Sequence, residues 1–138
     1  MTGAQLGTFY QRRVRALDRE IKRALNGIGD SAFRLSREKM VDGIYALPVD
    51  QTKAGKPKWK RTRRLYRGEG YEIRGKDTVA VVNRTPYAVA RDAMGRPGGR
   101  QPNNPARIVH WQEEMAAIMR PIAVDIFKDA IDDALRKP

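Results

Sequence analysis

The sequence predicts a single α+β domain. Apolar residues at both ends of the chain recur with helical spacing, and the middle stretch switches to short β-branched and aromatic runs. The length, 138 residues, is about that of one domain. Hydrophobic residues make up 41% of the chain, enough for a core.

Leu6, Phe9, Tyr10, Val14, Leu17, Ile21, Leu25 and Ile28 recur at steps of three and four, the signature of one helix face. Arg12, Arg13, Arg15, Arg19, Lys22 and Arg23 fill the other faces. Asn26-Gly27-Ile28-Gly29 reads as a stop, with Asp30 or Ser31 capping a second helix toward Leu47. Phe33, Met40, Ile44 and Leu47 would line that helix. The two glycines cost a continuous helix only about 2 kcal/mol, so a single long helix is the other solution. Pro48 ends either one.

Residues 51–60 are polar, basic and interrupted by Gly55 and Pro57, and read as a mobile loop. Arg64–Arg67, Tyr71–Arg74 and Thr78–Asn83 then read as a three-stranded antiparallel meander. Gly68-Glu69-Gly70 and Gly75-Lys76-Asp77 would make its turns. Tyr87–Ala90 is a candidate fourth strand beyond Thr85-Pro86. Residues 94–105 hold three prolines and three glycines and read as a second mobile loop. Asn104 suits an N-cap and Pro105 a first helical position. Ile108, Trp111, Met115 and Ile118 continue that helix. Pro121 predicts a kink or a fresh helix start, and Ile122, Ile126, Ala130 and Leu135 carry the pattern on.

The 28 lysines and arginines outnumber the 16 acids, for a net charge of +12. This balance concerns partners: nucleic acid, an anionic membrane surface or an acidic protein. Nearly all the excess lies in residues 51–110, with fifteen bases and four acids. No stretch approaches the roughly 18 apolar residues of a membrane span, and no secretory pattern opens the chain. The absence of cysteine excludes disulfides and thiolate metal sites. The cytoplasm is the expected compartment.

Signals for catalysis are sparse, and the chain reads as a non-enzyme. His110 is the single histidine, and the sequence shows no acid/base partner for it, so a small ribonuclease is disfavoured. There is no phosphate-binding glycine motif, and no metal or cofactor is implied. Glu113-Glu114 and Asp132-Asp133 lie side by side on predicted helices, where neighbours point about 100° apart. They read as solvated faces. The strongest functional signal is Lys53–Arg67, with eight bases and no acid in fifteen residues. Lys53, Lys56, Lys58, Lys60, Arg61, Arg63, Arg64 and Arg67 would neutralise phosphates or meet an acidic protein, with Trp59 and Tyr66 interleaved as stacking surfaces. Trp59 reads as an interface residue and Trp111 as core.

Pro48-Val49-Asp50, Arg64-Leu65, Thr78–Asn83 and Thr85-Pro86-Tyr87-Ala88, followed by a Gly/Pro loop and an amphipathic helix, resemble the tail-completion, or head–tail joining, proteins of long-tailed bacteriophages. These are also called neck or minor tail proteins. The positions that carry the resemblance are Pro48, Val49, Asp50, Asn83, Pro86, Tyr87 and Ala88. Where the family has Thr-Gly after the aspartate, this chain has Gln51 and a basic insertion before Leu65. The resemblance implies a structural virion protein, made in the host cytoplasm. It would form a homo-oligomeric ring on the order of six or twelve copies. Its neighbours would be the head connector and a tail-tube or tail-terminator protein, with possible DNA contact in the lumen and no membrane. The alternative is a sequence-tolerant nucleic-acid-binding protein acting through residues 53–67.

Overall fold

The computed structural model describes residues 2–46, 53–56, 63–92, 94–99 and 109–136. Its elements are α1 (Gly3–Met40), a π-helical turn (Val41–Tyr45), α2 (Arg64–Gly68), β1 (Glu69–Arg74), β2 (Thr78–Asn83), α3 (Ala88–Asp92) and α4 (Trp111–Arg136). The α+β class is as expected.

Helix α1 starts at a reciprocal cap. Thr2 Oγ1 accepts from the Gln5 amide and Gln5 Oε1 accepts from the Thr2 amide. It then runs unbroken for 38 residues, about 57 Å. The expected stop at residues 26–29 and cap at Asp30 or Ser31 do not occur. Gly29 is there to let strand β1 approach: a Cβ would lie 2.2 Å from Tyr71 Cδ2. The Tyr71 ring stacks on Phe33 and its hydroxyl donates to Asn26 Oδ1 at 3.2 Å. Packing on both flanks of the helix outweighs the small propensity cost of two glycines. Gly43, in the π-helical turn, plays the same part against Val109, whose Cγ1 would sit 2.7 Å from an added Cβ.

Among the described residues the sheet has two antiparallel strands, not three or four. Glu69 pairs with Asn83 and Arg74 with Thr78 around the turn at residues 75–77, where Gly75 takes φ +66°. Arg64–Arg67, expected as a strand, is the short helix α2, and Tyr87–Ala90 leads into helix α3. The first of these segments is tied to the end of the hairpin and not to its edge. Asn83 Nδ2 donates to the Leu65 carbonyl and Thr85 Oγ1 to the Arg64 carbonyl. Those carbonyls are therefore engaged by side chains and not by a neighbouring strand. Gly68 and Glu69-Gly70, expected as a turn, end α2 and open β1.

Helix α4 begins at Trp111, with the His110 carbonyl accepting the Glu114 amide. The expected start at Asn104-Pro105 lies outside the described residues, as do Ile108, Leu47, and Pro48 with its expected helix end. Pro121 sits inside α4 and starts no new helix. Trp111, Met115, Met119, Ala130 and Ala134 face inward. Ile118 and Leu135, expected on that stripe, are exposed, because four-residue steps from Trp111 reach Met119 instead.

Helices α1 and α4 pack antiparallel. Ile28 and Ala32 meet Met115 and Met119 in one core cluster; Met40, Leu65, Ala88, Val109 and Trp111 form the other. At the far end Arg13 Nη1 donates to the Leu135 carbonyl at 2.9 Å, capping the C-terminus of α4. Residues 3–12 of α1 therefore run past the end of α4, by about 15 Å.

Candidate functional site

The chemistry of this chain centres on Glu69, 3% exposed at the start of β1. Its carboxylate accepts four hydrogen bonds, two at each oxygen. Ser36 Oγ (2.9 Å) and Gln112 Nε2 (2.8 Å) reach Oε1. Asn83 Nδ2 (2.7 Å) and Trp111 Nε1 (3.0 Å) reach Oε2. The donors come from α1, β2 and α4, so one carboxylate joins three elements. Among the described residues no lysine or arginine forms an ion pair with it; neutral donors hold it in place of a counter-charge.

Asn83 is fixed by its own bonds. Its Oδ1 accepts the Thr85 amide at 2.9 Å while Nδ2 serves Leu65 and Glu69. Gly68 lies beneath it, where a Cβ would come within 2.2 Å of Thr85 Oγ1 and 2.9 Å of Asn83 Oδ1. Of the residues that carried the resemblance, Asn83 and Ala88 are thus structural: Ala88 packs in the core with Trp111 and Met40. Pro86 and Tyr87 are exposed beside them. Pro48, Val49 and Asp50 lie outside the described residues. Nothing in the sequence marked Glu69, because one glutamate between two glycines carries no periodic signal.

Next to this hub is a cationic, aromatic surface. Helix α2 buries Leu65 and exposes Arg63, Arg64 and Arg67 at its start and along its length. Arg63 adopts φ +58° and lies 5.4 Å from the centre of the Tyr45 ring. The Tyr45 hydroxyl accepts the Tyr66 amide at 3.1 Å. Arg37 sits between the Phe33 and Tyr66 rings, 5.0 and 4.7 Å from their centres. It also donates to the Tyr66 and Glu69 carbonyls, so its guanidinium is oriented on all sides. An open groove of about 670 Å³ follows this edge, lined by Phe33, Arg34, Arg37, Glu38, Val41 and Tyr66 among others.

The expected cationic cluster is therefore only partly assembled within the described residues. Arg64 and Arg67 lie on one short helix beside the groove with Arg63 just before it, and Lys53 and Lys56 are exposed. Lys58, Trp59, Lys60 and Arg61 lie outside the described residues. Tyr66, read as a stacking surface for a base, stacks instead on Arg37 and meets Tyr45 edge-on. Arg34 and Arg37 join the surface from α1, a contribution that helical periodicity alone did not reveal.

His110 precedes α4 with its Nδ1 buried and without a hydrogen bond, 3.7 Å from Asp92 Oδ1. Arg96 bridges the same region, donating to the Asp92 carbonyl and pairing with Glu113. The hydrogen bond from Arg96 holds Glu113 below the usual carboxylate range, and Glu113 in turn raises Arg96. Among the described residues no group of three or more acidic or histidine side chains is placed to hold a metal ion. No helix among them is long and apolar enough to cross a membrane.

Comparison with family models, curated proteins and solved structures finds no match to this chain.

Proposed function

We propose that this chain is a structural subunit of a bacteriophage neck or tail, one of a ring of identical copies joining the head connector to the tail tube. The observation that carries the reading is apolar surface left bare on the overhanging end of α1. Leu6 (43%), Phe9 (41%) and Tyr10 (59%) are exposed on the part of the helix that continues past its partner, and Val14 (57%) just inside it. A stripe of this kind is unfavourable in water and favours association with another macromolecule. Supporting it, Asn83 and Ala88 belong to the hub and core that hold the fold together, so the resemblance to head–tail joining proteins extends to residues that shape the domain. The cationic edge with Arg63, Arg64 and Arg67 suits an acidic neighbouring ring or DNA in a channel.

Electron microscopy of the purified chain, alone and with the proteins encoded beside it, tests the proposal. Rings, or rings formed only on a neighbouring assembly, are expected. A protein that stays monomeric in both settings would overturn it.

The exposed arginines of α2 favour one competing reading, sequence-tolerant binding of nucleic acid. It requires the logarithm of duplex-DNA affinity to fall with the logarithm of salt. Replacing Lys58, Lys60, Arg61 and Arg63 together should then flatten the slope by roughly 3–4. A flat salt response in the unaltered protein excludes it.

A further inference from the structure

We infer that α1 of one copy docks along the outer face of α4 of a second copy, in parallel orientation. The inference rests on the ring reading and names the contact between neighbouring subunits. On α4, Ile118, Ile122, Asp125, Asp129 and Asp132 follow one another at steps of four and three, all exposed. They form a single stripe that begins apolar and ends acidic. On α1, Phe9, Arg12, Arg15 and Arg19 are exposed along the overhanging end and the turns that follow it. That stripe begins apolar and ends basic.

Neither set of charges is paired among the described residues: Arg12, Arg15 and Arg19 form no ion pair there, and neither do Asp125, Asp129 and Asp132. Asp18 on the α1 segment and Arg120 and Lys128 on the α4 segment carry the opposite sign, and each segment keeps a net charge. The two sets also match in length. Phe9 to Arg19 and Ile122 to Asp132 are each ten residue steps apart, about 15 Å of helix. Laid parallel, Phe9 meets Ile122, Arg12 meets Asp125 and Arg19 meets Asp132, while Arg15 is level with Lys128 and one residue from Asp129. Laid antiparallel, Phe9 falls against Asp132 and Arg19 against Ile122, which leaves a charge facing an apolar side chain at each end. Because two different surfaces meet, each copy keeps one surface free for the next, as a closed ring requires.

The chain has no cysteine, so introduced thiols report contacts without background. The first test is charge reversal, read by sedimentation velocity. Arg12, Arg15 and Arg19 replaced together by Glu, or Asp125, Asp129 and Asp132 replaced together by Lys, should each weaken self-association at least tenfold. An equal mixture of the two reversed proteins should restore it, since each then offers the other a complementary pair. All six positions are exposed, and an unchanged thermal transition checks that folding is intact. The second test is oxidation of an equal mixture of Phe9→Cys and Ile122→Cys chains, which should yield a cross-linked dimer that Phe9→Cys with Asp132→Cys does not.

Self-association indifferent to both reversals, or cross-linking only in the antiparallel pair, overturns the contact while leaving the ring reading intact. A wild-type chain that is monomeric at every concentration also overturns it. So does a chain whose α1 arginines serve only to retain duplex DNA.

Discussion

Replacing Glu69 separates the hydrogen-bond hub from simple packing, because its two oxygens differ in what they tolerate. At Oε1 the donors are adaptable: the Ser36 hydroxyl can rotate to accept, and the Gln112 amide can turn its oxygen inward. At Oε2 they are not. Indole Nε1 of Trp111 is only ever a donor, and Asn83 cannot flip without losing its bonds to Thr85 and Leu65. Glu69→Gln should therefore settle with its nitrogen toward Ser36 and Gln112. Its cost is the loss of charge assistance, about 1–2 kcal/mol. Glu69→Leu fills a similar volume but strands the Trp111 and Asn83 donors in the core, each costing about 1–3 kcal/mol. With the lost bonds to the other pair, the total should reach about 4 kcal/mol, a large part of the stability of a domain this size. Urea unfolding followed by far-ultraviolet circular dichroism reads both. With a slope of about 2 kcal/mol per molar, Glu69→Leu should lower the midpoint by roughly 2 M and Glu69→Gln by less than about 1 M. The Trp111 indole N–H resonance should move upfield in Glu69→Leu alone. Equal midpoints for the two variants would refute the assignment of fixed donors to Oε2.

Other substitutions test the packing. Gly27 has open space where a Cβ would go, so Gly27→Ala should stabilise by about 0.5–1 kcal/mol through helix propensity. Gly29→Ala should instead destabilise by about 1–2 kcal/mol, because the Tyr71 ring is held by Phe33 and Asn26 and cannot move aside; opposite shifts in thermal midpoint are the check. Arg13→Ala frees the Leu135 carbonyl and should cost about 0.5–1 kcal/mol, with faster amide exchange in the last turn of α4. The Arg96–Glu113 contact is intact above the usual glutamate range and is lost as pH falls through the depressed value of Glu113. An NMR titration of the Glu113 carboxyl should therefore give a midpoint below that of an ordinary glutamate, returning toward it in Arg96→Ala.

Periodicity alone placed helical segments at both ends of the chain, β2, whose bounds at Thr78–Asn83 agree with the expectation, and the α+β class. The helices bury one face along much of their length, and burial imposes a regular spacing on apolar residues. The same logic identified Trp111 as core, and charge singled out Lys53–Arg67, of which the described part exposes Lys53, Lys56, Arg63, Arg64 and Arg67. Tertiary structure decided the rest. Gly27 and Gly29 read as a stop because isolated helices lose stability at glycine; Tyr71 packs directly onto Gly29, and that contact is with a residue distant in sequence. Arg64–Arg67 has strand-like composition, yet its carbonyls are taken by Asn83 and Thr85, so it coils into α2. Glu69 became the hub only when Ser36, Asn83, Trp111 and Gln112 converged from three elements. Such convergence has no local signature, because a hydrogen bond between distant residues constrains neither its neighbours nor their spacing.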